Sequence, residues 1–205
     1  MIRVDLHVHS SASFDCSVEP GEVGERCRRL GLLPVFLTDH NTIAGAVHLR
    51  EAGHLQVVVG EEVMTRDGEL IGLFLSEAIP EGLAASEAAA RIKAQGGLVY
   101  LEHPYDPYRR HLSEVAIEEI AETIDIVEVW NGRSDDRTNP RAAQLCDLLG
   151  AAPGAGSDAH TLGNIGSVYV EMDGFDGAAD FLAKLRSGKI VGRRTGLHLP
   201  KLRRP

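Results

Sequence analysis

Short apolar runs alternate with stretches of helical character along almost the whole chain of 205 residues. The stretches between the runs have the features of helices, such as early acidic residues, late basic residues and a closing glycine, as in residues 17–31. This alternation predicts an α/β fold with a mainly parallel sheet and helices outside it. The number of runs favours a small or incomplete barrel over an open sheet. The runs lie at residues 1–6, 33–37, 55–59, 70–75, 98–101, 126–130, 151–156 and 167–171.

Polar side chains that can bind a metal follow most of these runs. His7 and His9 end the first run, and they point to the same face because successive side chains of a strand alternate between faces. In a parallel barrel all strands end at one face, where barrel enzymes place their sites. The sequence therefore predicts one shared site. Its further candidates, each just after a later run, are His40, Glu62, His103, Asn131, Asp158 and His160.

The chain contains five ordered motifs, at residues 5–10 (DLHVHS), 38–41 (TDHN), 60–62 (GEE), 103–104 (HP) and 156–160 (GSDAH). In this order they resemble the motifs of the PHP (polymerase and histidinol phosphatase) superfamily. This resemblance implies that residues 1–205 form a single domain with a distorted seven-stranded (β/α)7 TIM-like barrel. It also implies a phosphoesterase site with two or three divalent metal ions. One further segment, residues 128–133, resembles the corresponding segment of the short stand-alone bacterial members of the family.

The resemblance also implies which residues of this chain hold each ion. The ligands are His7, His9 and Asp158 for a first metal, Glu62 as a bridge between metals, His103 for a second metal, and Asp15, His40 and His160 for a third. Glu69 departs from the pattern, since relatives often carry histidine at this place. A carboxylate there would ligate as oxygen, or the second metal would be weaker or lost, or else Glu69 is a turn residue that faces solvent.

Three further residues are candidates for work around the metals. Asp39, beside His40, would orient a ligand or a water molecule, or alternatively cap a helix that starts at residue 41 or 42. Arg133 is a candidate to bind a substrate phosphate through its planar fork, with Asn131 beside it; the alternative for Arg133 is a solvated loop position.

The chemistry of these residue types supports hydrolysis by a metal centre. Imidazoles mixed with carboxylates suit Zn, Mn or Fe. Two ions bridged by a carboxylate can activate a hydroxide and hold a phosphoryl oxygen. The sequence contains no P-loop and no GxSxG nucleophile motif. We therefore expect a phosphoesterase that acts on a phosphomonoester of a small molecule or nucleotide, with Glu62, Asp158, His160 and Asp39 as its catalytic residues.

Three alternatives stay open at this point. One is a 5'–3' exonuclease or phosphodiesterase that acts on short oligonucleotides, and another is a metal-binding module without catalysis. The third is an amidohydrolase, many of which bridge two metals through a modified lysine. The four lysines, Lys93, Lys184, Lys189 and Lys201, do not stand at a predicted strand end in the site, so Glu62 fits the bridging role better.

Composition limits the partners and the setting of the protein. A net charge of -9 argues against an extended nucleic-acid surface, but a small phosphorylated substrate remains compatible with it. Cys16, Cys27 and Cys146 match neither a disulfide framework nor a CxxC metal site. The sequence shows no signal peptide and no membrane-spanning run, which predicts a cytoplasmic protein without membrane contact. Residues 201–205 read as a solvated basic tail, and the oligomeric state is left open.

Overall fold

The computed structural model describes residues 1–135 and 137–193. The predicted basic tail at residues 201–205, which includes Lys201, lies outside this part. Within the described residues the chain forms nine strands, six α-helices and one short 3-10 turn. In chain order they are β1 (Ile2–Val4), α1 (Pro20–Leu30), β2 (Val35–Leu37), α2 (Ala44–Glu51), β3 (Val57–Thr65), β4 (Gly68–Leu73), α3 (Ala85–Ala94), β5 (Leu98–Leu101), α4 (Glu114–Ile120), the 3-10 turn (Ala121–Thr123), β6 (Ile124–Asn131), α5 (Thr138–Leu149), β7 (Ala152–Gly156), β8 (Val168–Met172), α6 (Gly177–Leu185) and β9 (Lys189–Gly192).

Six strands form one mixed sheet in the order β2-β3-β4-β5-β6-β7, and β1, β8 and β9 form a separate antiparallel sheet. In the large sheet β4 runs antiparallel to both of its neighbours. The reason is local, because β3 and β4 are joined by a hairpin in which Thr65 pairs with Gly68, too short for the crossover that parallel strands need. The predicted α/β class is confirmed, whereas the seven-stranded (β/α)7 arrangement is not.

Residues 6–9, here called the bridging segment, lie between the two edges of the six-stranded sheet. On the β7 side, Leu6 N donates to Ala155 O at 3.3 Å and His9 N donates to Ala159 O at 3.1 Å. On the β2 side, Thr38 N donates to Val8 O at 2.9 Å. The bridging segment thereby links both edges of the curled sheet and places the two leading histidines between them.

The two faces of the sheet carry different cores, as the period of two along each strand requires. The outer face packs against the helices in a cluster that includes Val59, Leu101 and Val127. The inner face forms a second cluster that includes Ile71 and Tyr100 and extends to the small sheet and α6. The inner face is therefore apolar at one end, which leaves its other end for polar side chains.

The described residues also bear on the predicted states of the cysteines and on membrane-spanning segments. Cys16, Cys27 and Cys146 are all buried and free of disulfides. Among the described helices, not one combines the length and the apolar character that crossing a bilayer demands.

Candidate metal centre

Four glutamates lie in one layer at the polar end of the sheet's inner face. Glu102 stands two residues beyond the inward-facing Tyr100, and Glu128 stands two residues beyond Ile126, so strand alternation points both inward. Glu62 belongs to β3, and Glu69 lies near the start of β4. Because β4 runs antiparallel, its beginning lies at the same end of the sheet as the ends of the parallel strands.

The burial of Glu69 excludes one of its interpretations. Its exposed fraction is 6%, so the alternative of a turn residue that faces solvent is wrong. Glu69 instead faces Glu62, Glu102 and His103. Burial, followed by the charge of Glu62, raises the pKa of the Glu69 carboxyl to about 7. Glu69 is therefore suitably placed to be a metal ligand, and that role stays a prediction.

The first cluster brings together the two leading histidines and two carboxylates. His7 Nε2 lies 3.1 Å from His9 Nε2, and each of these nitrogens lies 3.2 Å from Glu62 Oε2. Asp158 Oδ1 lies 3.5 Å from His9 Nε2. All four side chains are buried, with at most 2% of any residue exposed. Four potential ligand atoms therefore converge on one point that water does not reach freely.

This cluster fits a divalent cation. Two neutral imidazole nitrogens that face each other at this distance cannot both act as acceptors without a donor or a cation between them. Burial disfavours a charged His7, but the neighbouring carboxylates of Glu62, Asp158 and Glu128 outweigh it and hold the pKa of His7 well above its usual range. The site is thus arranged for positive charge, and its imidazole and carboxylate donors suit Zn, Mn or Fe.

A second cluster shares Glu62 with the first. It consists of Glu62, Glu69, Glu102 and His103, whose potential ligand atoms all lie within 4.8 Å of one another. Glu62 faces the first cluster through Oε2, while its Oε1 lies 3.1 Å from His103 Nε2. The two oxygens of one carboxylate therefore point to two different groups of ligands, which is the geometry that a bridging residue requires.

A third cluster lies toward the surface. His9, His40 and His160 form a group of converging imidazoles, and Asp15 Oδ2 lies 3.0 Å from His160 Nε2 and 3.6 Å from His40 Nε2. Burial lowers the pKa of His40, but the charges of Glu62 and Asp15 outweigh it and raise this pKa to about 9. The structure thus brings together every metal-ligand candidate that the sequence supplied.

Glu128 stands behind these clusters and was not predicted from the sequence. Its Oε1 lies 3.2 Å from His7 Nδ1 and accepts from Tyr100 OH at 2.9 Å, while its Oε2 accepts from His103 N and Asn131 Nδ2, both at 2.9 Å. A carboxylate at Nδ1 fixes the imidazole with Nε2 free to bind a metal. Inward alternation along β6 was the signal in the sequence that could have found Glu128.

Asp39 organises the loop that carries part of the site. Its carboxylate accepts from Ser10 N at 2.6 Å, Ser10 Oγ at 2.7 Å and Ser13 Oγ at 2.9 Å. Ser13 Oγ in turn lies 3.2 Å from His9 Nδ1. Helix α2 begins only at Ala44, and the carboxylate of Asp39 is engaged by the two serines, so the structure does not show the helix cap considered as an alternative. Asp39 is thereby linked to His9 through Ser13.

Two arginines hold Asp158 at the entrance of the site. Arg109 Nε lies 3.3 Å from Asp158 Oδ2, and Arg133 Nη1 lies 3.2 Å from Asp158 Oδ1. Burial disfavours ionisation of Asp158, but the charges of Arg109, His7 and Arg133 outweigh it and hold its pKa well below the usual range. The Arg133 side chain is only 19% exposed, so the alternative of a solvated loop arginine is wrong. Asn131 Nδ2 also donates to Asp158 Oδ2, at 3.3 Å.

A cavity of about 260 Å³ opens above the clusters. Arg109, Arg110 and Arg133 line it, and the aromatic rings of Phe14 and Tyr108 stand at its walls. Arg109 was missed in the sequence because the loop of residues 105–112 has no regular pattern that would indicate where each side chain points.

The fold is α/β, and its curled mixed sheet carries three joined clusters of imidazoles and carboxylates, two of them buried, which is a donor set suited to divalent metal ions. The chain belongs to the PHP family: the PHP domain matches residues 5–118, and the PHP-associated C-terminal region matches residues 136–190. This confirms the resemblance seen in the motifs. Family and site together support a metal-dependent hydrolase.

Two relatives come from Methanocaldococcus jannaschii, and both are uncharacterized proteins. One is 36% identical over 177 residues, which cover 83% of this chain and 70% of the relative. The other is 38% identical over 148 residues, which cover 66% of this chain and 85% of the relative.

Solved structures share the fold at low sequence identity. A candidate metal-dependent phosphoesterase from Bifidobacterium adolescentis is 19% identical, with a TM-score of 0.65 over 78% of this chain and 88% of that one. PsfC from Pseudomonas syringae is 16% identical, with a TM-score of 0.69 over 94% and 93% of the two chains. An amidohydrolase from Chromobacterium violaceum is 18% identical, with a TM-score of 0.61 over 77% and 87%. At these identities the likeness is evidence for the fold alone.

Proposed function

We propose that this protein is a metal-dependent phosphoesterase that hydrolyses a phosphomonoester of a small molecule or nucleotide. The observation that carries the proposal is the position of Glu62. One oxygen of this buried carboxylate faces His7 and His9 and the other faces His103, directly beneath a cavity lined with arginines. A carboxylate placed in this way joins two metal positions at the spot where an anionic substrate would enter.

The chemistry divides between the metals and the side chains. When bound, the ions supply a nucleophile from water at neutral pH and polarise a phosphoryl oxygen. His7, His9, Glu62, His103 and Asp158 would hold the ions of the first two clusters. The buried layer excludes bulk water, which strengthens every electrostatic interaction inside it.

The entrance supports a phosphate group as the part of the substrate that is recognised. Guanidinium groups bind phosphate oxygens through fixed pairs of N–H donors. Arg109 and Arg133 occupy the cavity wall, where they also hold Asp158 ionised. His160 is placed beside them, with Arg133 Nη1 3.0 Å from its Nδ1. Carboxylates alone at this entrance would repel the same substrate.

The short oligonucleotide end is a second candidate substrate, and Phe14 favours it. This ring is 76% exposed, and its centroid lies 5.0 Å from that of His40 at the edge of the cavity. An exposed aromatic ring beside a phosphate-binding entrance can stack on a nucleobase. A phosphodiesterase or 5'–3' exonuclease would use the same metals with a longer substrate.

The proposal is tested by a substrate screen of protein reconstituted with Zn, Mn or Fe. The panel comprises nucleoside monophosphates, nucleoside bisphosphates, histidinol phosphate, a bis-aryl phosphodiester and short oligonucleotides. We expect phosphate release from at least one monoester. Cleavage of diesters or oligonucleotides alone would favour the second candidate, and an inactive protein with a full metal complement would overturn both.

The variant Glu62→Gln tests the bridge itself. A neutral amide cannot join two cations equally well, so we expect kcat to fall by at least about a hundredfold, the scale of losing one preorganised electrostatic group. Glu61→Gln is the matched control, because Glu61 is an equally buried carboxylate of the same strand that accepts from Ile79 N instead. Equal activity of Glu62→Gln and Glu61→Gln would contradict the two-metal arrangement.

A further inference from the structure

Glu102 is a fully buried carboxylate of the second cluster to which neither the sequence motifs nor the proposed function gives a role. Its exposed fraction is 0%, and neither of its two carboxylate oxygens has a hydrogen-bond partner among the described residues. Buried polar groups in folded proteins are normally paired, and an unpaired buried charge is costly. The position therefore calls for a partner that hydrogen bonds within the protein do not supply.

The surroundings of Glu102 are dominated by other carboxylates. Its ligand atom lies within 4.8 Å of those of Glu62, Glu69 and His103, so three carboxylates and one imidazole share one buried pocket. Carboxylates this close repel one another when ionised. Either protons or a cation must compensate this charge, and only a cation would use the oxygens of all three residues at once.

We propose that Glu102 is a ligand of a divalent cation that it holds together with Glu62, Glu69 and His103. The inference rests on the proposed function for the existence of a metal-loaded state. It adds a ligand to the second cluster, and it gives that cluster a different character from the first. The first cluster offers two imidazoles and two carboxylates and the third offers three imidazoles and Asp15, whereas the second offers three carboxylates and one imidazole.

This donor set has a consequence for the choice of metal. Oxygen ligands suit harder ions such as Mn²⁺, whereas imidazole suits Zn²⁺. We therefore expect the second cluster to discriminate less in favour of Zn²⁺ over Mn²⁺ than a histidine-rich cluster does. Glu69 lies in β4 and Glu102 directly follows the neighbouring strand β5, so the sheet positions both side chains at this pocket.

The experiment measures Mn²⁺ binding to metal-free protein without any substrate. Free Mn²⁺ is followed by electron paramagnetic resonance during a titration, and bound metal is counted by elemental analysis after gel filtration. Glu102→Gln is compared with the wild type and with Glu61→Gln, a control that removes a buried carboxylate outside the pocket. We expect Glu102→Gln to lose one bound Mn²⁺ or to bind it at least about tenfold more weakly, and Glu61→Gln to match the wild type.

A competition titration tests the preference for the metal. Glu102→Gln and Glu69→His should each shift the Zn²⁺ to Mn²⁺ ratio bound at equilibrium toward Zn²⁺ by at least about tenfold, because each replaces an anionic carboxylate donor with a neutral group. Glu102→Met is the second variant if the amide prevents folding, since it keeps the length of the side chain without a polar group. It should show the same loss of Mn²⁺.

Equal Mn²⁺ number and affinity in the wild type and in a folded Glu102→Gln or Glu102→Met protein would overturn the inference and would identify Glu102 as a protonated structural residue. This outcome would leave the proposed phosphoesterase intact, because the first cluster and Glu62 do not depend on Glu102. Conversely, a protein without phosphatase activity that still loses Mn²⁺ on substitution of Glu102 would refute only the proposed function.

Discussion

At the scale of single residues, Glu128 shows how one side chain positions several others. Its two oxygens engage His7, Tyr100, His103 and Asn131. A glutamine has one oxygen instead of two and must turn an N–H₂ group toward a donor. The orientation of His7 therefore depends on the charge of Glu128, which belongs to none of the three clusters.

We expect Glu128→Gln to weaken metal binding by about 10–100-fold, the range seen when a residue that orients a metal ligand is replaced. The measurement is a chelator competition with the purified protein. Tyr100→Phe is the matched control, because it removes one hydrogen bond to Glu128 and leaves the contact with His7 in place. Metal affinity in Glu128→Gln equal to that of the wild type would show that His7 is held by packing alone.

His160 and Asp158 lie two residues apart, but we expect their substitution by alanine to have different effects. His160 belongs to the outer cluster with Asp15, whereas Asp158 contacts His9 in the first cluster. We expect His160→Ala to lower kcat at least about a hundredfold with little change in the melting temperature of the metal-free protein. Asp158→Ala should also release metal from the first cluster. Metal counts, kcat and melting temperature of both variants decide this, and an active His160→Ala with all its metal would make His160 a bystander.

The sequence predicted the histidines of the site well and its buried glutamates only in part. Histidines at strand ends are conspicuous because few of them have another reason to stand there. Glu102 and Glu128 were missed because their role depends on which face of the strand points inward. Leu101 and Val127, on the outer face, are as apolar as the residues on the inner face, so the sequence pattern does not distinguish the two faces. Arg109 was missed because its position depends on the course of an irregular loop.

At the scale of elements, the start of helix α2 is held against the loop that carries Asp39. A Cβ atom at Gly45 would collide with Asp39 Oδ2 and with Ser10 Oγ. The glycine therefore permits a close approach that keeps Asp39 in contact with Ser10 and Ser13. Through Ser13 this contact reaches His9, so a helix terminus influences a metal ligand that it does not touch.

We expect Gly45→Ala to destabilise the protein by about 1–3 kcal/mol, the usual cost of overpacking, and to lower its metal affinity. Gly21→Ala in α1 is the control, because a Cβ atom at Gly21 would meet no other atom within 4 Å and alanine favours helix by about 0.5–1 kcal/mol. Denaturant unfolding and metal counting of both variants test this. A stable, metal-replete Gly45→Ala would refute the link between α2 and the site.

The reversed strand β4 marks the limit of element prediction from this sequence. Both flanks of the hairpin were recognisable as strands, and the turn at residues 66–68 was recognisable too. Because a mainly parallel sheet was assumed, the antiparallel direction of β4 that this hairpin implies was not inferred. Once β4 is antiparallel, the position of Glu69 at the beginning of a strand follows directly, and its place in the site no longer needs a special explanation.

At the scale of the whole molecule, the site lies where the sheet's two edges meet. The bridging segment joins β2 and β7 and carries His7 and His9, while Glu62 and His103 come from the middle of the sheet. Metal ions held by these residues would connect distant parts of the chain. Alternation and motifs predicted the α/β class correctly, but the predicted barrel of seven mainly parallel strands is not confirmed, since the large sheet has six strands and mixed directions.

Removal of metal should consequently lower the stability of the entire fold. A ligand at a hundred times its Kd stabilises the native state by about 2.7 kcal/mol, which for a chain of this size corresponds to a melting temperature about 5–10 °C higher. We expect protein as purified to contain two or three transition-metal ions and to melt that much lower after chelation. Addition of potassium chloride at matched ionic strength is the control. An unchanged melting temperature together with no detectable metal would contradict this prediction.

The contact between the first motif and the last has a further consequence for synthesis. Asp5 Oδ1 accepts from Ser157 N, 152 positions away in sequence, and Asp158 N donates to His7 O. Chains emerge from the ribosome in order from the N-terminus. The two leading histidines therefore emerge first but must wait for nearly the whole described chain before Asp158 joins them. The pocket of Glu62, Glu69, Glu102 and His103 draws on a continuous stretch of the nascent chain and is complete in sequence much earlier. The two halves of the metal centre are thus separated in time during synthesis.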